Sequence, residues 1–119
     1  MILNTTLLNL QAVLAANITT SQPEAIVDYD IWSNEGKTGK PNTQPTALQS
    51  QTDVNILNAP ILAGFVHDPI RISIYNKDTV SATVTIKTDD GTTERIIVKQ
   101  LLASGETLAW ERGSGWQIV

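Results

Sequence analysis

The chain has 119 residues, a net charge of −4, 41% hydrophobic residues and only 17% charged ones, against about 25% in ordinary soluble domains. One domain of this size has room for one core but not for separate cofactor and substrate domains. Cysteine is absent and histidine occurs once, so disulfide scaffolds, thiolate or multi-histidine metal centres and a cysteine nucleophile are excluded. The eight basic residues are scattered, whereas nucleic-acid binders show a basic stripe.

Residues 1–16 are apolar but lack a basic leader, and Asn4, Asn9 and Gln11 interrupt them. They therefore read neither as a signal peptide nor as a membrane span. Leu3, Leu7, Leu10 and Leu14 recur at spacings of four, three and four, which predicts an amphipathic helical arm over 1–16. So short a helix does not hold in water alone. Its leucine stripe must dock on the parent domain, on a second copy or on another protein. The sequons at Asn4 and Asn17 are expected by chance in a chain with 15 threonines.

The domain proper is expected over 17–119. Val27, Tyr29 and Ile31 alternate with Asp28 and Asp30, which predicts a strand ending near Trp32. Residues 33–51 are polar and rich in Gly, Pro, Lys and Asn, and read as one long loop of the kind used in binding. A strand resumes at 54–57. Pro60, Gly64 and Pro69 then punctuate a connection.

The second half reads as β throughout. Ile70, Ile72 and Ile74 alternate with Arg71, Ser73 and Tyr75, and Ala82, Val84 and Ile86 with Thr83, Thr85 and Lys87; Ile96 and Val98 alternate with Arg95, Ile97 and Lys99, and Leu108 and Trp110 follow. Tight turns separate them at Asp89-Asp90-Gly91, Ala103-Ser104-Gly105 and Gly113-Ser114-Gly115. A three-residue loop over 89–91 would pair Val84 with Ile96 and keep one face apolar, with Gly91 left-handed. About seven strands predict an all-β, antiparallel sandwich of jelly-roll type.

No catalytic constellation rises above background. Asp28 and Asp30 share a strand face and read as its wet side rather than as a cation site. Asp89-Asp90-Gly91 lacks the later ligands of a calcium loop. His67-Asp68 has no nucleophile elbow to serve. Gly113-Ser114-Gly115 lacks the lysine and helix of a phosphate loop. Glu106 and Glu111 have no cleft to hold a sugar. Trp110 and Trp116 read as core, with a sugar-stacking platform as the alternative. Trp32 reads as an interface residue.

The run Ile72-Ser73-Ile74-Tyr75-Asn76-Lys77-Asp78-Thr79, followed by Ala82 to Ile86, Asp90 to Lys99, Leu102 to Leu108 and Gly115-Trp116, resembles small structural proteins of tailed-phage virions. Leu10 to Ala16 and Ile18-Thr19-Thr20 resemble their start. The resemblance implies a capsid decoration, or cement, protein with a β-sandwich domain. It implies no enzyme activity and no cofactor. It does not decide between head and tail; the expectation taken is a homotrimer on the phage head with the major capsid protein as partner, and neither nucleic acid nor membrane. A tail, neck or baseplate part is the first alternative and a carbohydrate-binding module the second. On this reading Leu3, Leu7, Leu10 and Leu14 dock the arm, while Trp32, Lys37, Lys40 and Asn42 face the capsid or a neighbouring subunit.

Overall fold

The structure is a computed structural model that describes residues 1–33 and 39–119. The described residues form nine strands and no helix: β1 (Asn9–Leu14), β2 (Glu24–Ser33), β3 (Lys40–Ala47), β4 (Val54–Leu57), β5 (Phe65–Tyr75), β6 (Ala82–Asp89), β7 (Glu94–Leu102), β8 (Thr107–Glu111) and β9 (Gly115–Ile118). They make two antiparallel sheets, ordered β4-β1-β6-β7 and β3-β2-β5-β8-β9. The sheets pack face to face as a sandwich.

The predicted helical arm is not present. Leu10, Ala12 and Leu14 are buried and alternate with half-buried neighbours, so β1 is a central strand between β4 and β6. A separation of four residues satisfies both one helical turn and two strand alternations. Leu10 and Leu14 therefore fit either pattern, and Ala12 is the residue that decides. Leu3 is also fully buried and bridges to His67 through paired backbone bonds of 2.8 and 2.9 Å. Leu7 is 66% exposed between these two anchors.

The core gathers one face of each sheet. Leu10, Ala12, Leu14, Ile56, Val84, Ile86 and Leu102 meet Ala25, Val27, Tyr29, Ile72, Ile74 and Leu108. Trp110 and Trp116 are half-buried against the same cluster, with ring centroids 6.3 Å apart and planes tilted by 46°. That geometry fits side chains closing the end of a core.

Two further expectations are corrected. The long loop over 33–51 contains β3, which pairs with β2 from Glu24↔Ala47 to Ile31↔Lys40. In addition, β6 and β7 pair Ile86 with Val98 and Val84 with Gln100, through a four-residue connection, and Gly91 there is left-handed at φ 93°. A bulge between Ile86 and Lys87 shifts the register, so Lys87 faces Ile96. Ile96 thus turns outward and is 68% exposed.

A polar knot closes one end of the sandwich. Asn76 is fully buried; its side-chain amide donates to the carbonyls of Val80 and Leu102, and its Oδ1 accepts from the Asp78 N–H. The Asp78 carboxylate accepts backbone N–H bonds from Thr19, Thr20, Ser21 and Thr79 at 2.8–3.3 Å. These bonds, that of Thr19 foremost, hold its pKa down at about 2. Three segments far apart in sequence are thereby tied together by hydrogen bonds.

Candidate protein interface

At the opposite end of the sandwich, the last residues of β2, the first of β5 and the connection between β4 and β5 leave apolar surface open. Ile31, Ile61, Leu62, Phe65 and His67 line a depression of about 160 Å³. Ile61 is 92% exposed, and Leu62 and Phe65 are also exposed. Their placement follows from register. Strand β2 pairs with β5 as far as Trp32↔Val66 and Ser33↔Phe65, which carries Ile31 and His67 side by side to the rim. The imidazole is fixed there: its Nδ1 lies 2.7 Å from the Asn58 carbonyl, and the Tyr29 ring is 4.9 Å away. Burial raises the pKa of Tyr29.

The depression compares in volume with an engineered apolar cavity of about 150 Å³ that binds benzene. It is open and offers mostly hydrocarbon. Such a site accepts one aromatic or branched side chain of a partner, which is how interface anchors are seated.

Of the residues expected at an interface, Trp32 and Lys40 come to this end of the molecule together. Lys40 stands opposite Ile31 and is exposed. Trp32 is half-buried, and its indole lies so close to Gly39 that a Cβ there would sit 2.7 Å from Cε2 and Cζ2. Asn42 is exposed on β3, but its Oδ1 accepts the Thr43 N–H at 2.9 Å. Lys37 lies outside the described residues. Leu3, Leu10 and Leu14 belong to the core of their own domain, where they present no surface, and Leu7 is exposed.

Sequence reasoning missed Ile61, Leu62 and Phe65. The available signal was two adjacent apolar residues inside a connection punctuated by Pro60 and Gly64, where burial is not expected.

The other chemistry-bearing residues have structural uses. Asp28 accepts the Thr43 hydroxyl at 2.8 Å. Asp68 pairs with Arg112 at 2.9 Å and Glu111 with Arg71 at 3.5 Å. Glu106 accepts the Ala103 N–H. Asp90 caps its turn through the N–H groups of Thr92 and Thr93, which lowers its pKa. Among the described residues no group of three or more His, Asp or Glu side chains converges as metal ligands do. Lys87 is buried on the outer face of the four-stranded sheet, held by Asp53 at 2.9 Å and Glu94 at 3.0 Å, and these partners raise its pKa.

The fold and surface define a β-sandwich with an open apolar depression at one end. No protein-family model matches the chain, and no similar curated protein or solved structure was found.

Proposed function

We propose that this protein is a structural component of a tailed-phage virion, a capsid decoration protein that binds the assembled head lattice as a homotrimer. The observation that carries the reading is the open apolar end formed by Ile31, Ile61, Leu62 and Phe65, flanked by Trp32 and Lys40. It is a surface built for binding, on a domain whose polar side chains mostly serve turns and ion pairs. The resemblance of residues 72–108 to phage virion proteins supplies the partner class.

Strand order supports the finer, jelly-roll reading. The neighbours β7-β6-β1-β4 and β8-β5-β2-β3 are those of the two four-stranded sheets of a jelly roll whose chain is entered at its third strand, with β9 added at one edge. Jelly rolls recur in viral shells.

The mechanism is binding alone. An anchor side chain of the major capsid protein enters the depression, and each attached copy raises the free energy of separating capsid subunits by mass action. Three weak contacts on one trimer combine by avidity.

Quantitative mass spectrometry of purified particles tests the reading. The expected result is a copy number in fixed proportion to the major capsid protein. A copy number matching a tail or neck ring would move the protein there, and absence from particles would overturn the proposal. A Leu62→Asp, Phe65→Asp double variant should stay folded and fail to attach to heads.

A further inference from the structure

The lining of the open depression is hydrocarbon except at one place. The side chains of Ile31, Ile61, Leu62 and Phe65 carry no polar atom, and the remaining lining residue is His67. The backbone of His67 is pinned from both sides, by its pairing with Ile31 on β2 and by its two bonds to Leu3. Its ring lies against Tyr29, with 4.9 Å between centroids, and its Nδ1 is 2.7 Å from the Asn58 carbonyl oxygen.

That last contact fixes the tautomer. A carbonyl oxygen only accepts, so Nδ1 must carry the proton. In the neutral imidazole Nε2 is then bare and acts as an acceptor. Among the described residues the ring's hydrogen bond is made through Nδ1, and none is made to Nε2. The depression therefore presents one acceptor, set in place, among apolar walls, and its lining side chains offer no free donor.

We infer that the depression seats a tyrosine side chain of the partner, its ring packed among Ile61, Leu62 and Phe65 and its phenol O–H donating to Nε2 of His67. The inference rests on the reading of this depression as the docking site and names what enters it. The volume of about 160 Å³ suits one six-membered ring, since a cavity of about 150 Å³ takes benzene. Phenylalanine or leucine would fill the same space but strip water from Nε2 with nothing in return. A carboxylate brings no donor, and a lysine ammonium would lose hydration against the aliphatic walls. Tryptophan brings a donor, but its two fused rings exceed a single-ring volume. Because the acceptor is held in place beforehand, little ordering is needed to use it. The walls supply affinity, and His67 determines specificity.

The test uses the full chain and the N-acetyl amides of tyrosine, phenylalanine and tryptophan. The methyl resonances of Ile61 and Leu62 and the imidazole nitrogen resonances of His67 are followed during titration, with the ring neutral. The expected result is saturable binding of the tyrosine amide, about tenfold tighter than that of the phenylalanine amide, with Nε2 shifting for the first and not for the second. His67→Gln places an amide oxygen near the Nε2 position and should keep the preference. His67→Asn keeps a donor for the Asn58 carbonyl but lacks that acceptor, and should bind both amides equally. The Nε2 signal of the parent chain decides the matter even where a variant fails to fold. Tighter binding of the tryptophan amide, a proton on Nε2 of the neutral ring, or a preference that survives His67→Asn would each overturn the inference. Equal affinity of the parent for tyrosine and phenylalanine would overturn it and leave the docking reading standing. Unmoved Ile61 and Leu62 resonances with all three amides at tens of millimolar would overturn both.

Discussion

Replacing Leu10 with alanine, beside the same change at Leu7, separates a buried strand from a docking arm. Leu10 is fully buried between Leu57 and Thr88 of the neighbouring strands, whereas Leu7 is exposed. Leu10→Ala deletes three carbons, a transfer loss of about 2.4 kcal/mol at about 0.8 kcal/mol for each. A central strand clamped from both sides collapses poorly around the gap, so the cavity raises the cost to about 3–5 kcal/mol. In a domain of this size that lowers Tm by about 12–20 °C, at about 4 °C per kcal/mol. Leu7→Ala should stay within about 0.5 kcal/mol of the parent. Urea and thermal unfolding followed by tryptophan fluorescence measure both. Equal losses at the two positions, or a Leu10 variant of normal stability that has lost only its oligomeric state, would refute the strand assignment.

Asp78→Asn should destabilise the fold near neutral pH, because asparagine offers one acceptor oxygen where the carboxylate uses two for four N–H bonds. The depressed pKa of Asp78 means that its contribution is complete above its ordinary value of 3.8 and fades as pH falls through about 2. Urea midpoints of parent and variant should therefore converge in strong acid, and a gap independent of pH would contradict the assignment. Replacing Pro41 and Pro45 with threonine and Asn42 with alanine restores N–H groups to the free side of β3. Light scattering should then show concentration-dependent association that the parent lacks.

The legibility of the sequence varied with how strictly a segment alternates. Ile72 and Ile74, Val84 and Ile86, and Leu108 and Trp110 have small or polar neighbours, and each pair faces inward as expected. The N-terminal segment misled because the side chain marking its alternation, Ala12, is small, while Leu7 supplied a false helical step. Strand β3 was hidden by its prolines. They oppose a central strand, and here they sit on an edge whose free side they protect. The register of β6 and β7 turned on a bulge, which leaves no mark in residue type. At the candidate interface Trp32 and Lys40 were found as residues, but their neighbours were not, because Ile61, Leu62 and Phe65 arrive through the pairing of β2 with β5.

The partners of β1 have a consequence for synthesis. Strand β1 leaves the ribosome before its hydrogen-bonded partners β4 and β6, and the latter begins at Ala82. Until then the faces of Leu10, Ala12 and Leu14 have no permanent cover. Pairing at such sequence separation also makes folding slow relative to chains built from local contacts. Most of this chain is therefore translated before its core can close, and for that interval the nascent protein exposes an aliphatic strand that chaperones bind and that aggregation recruits.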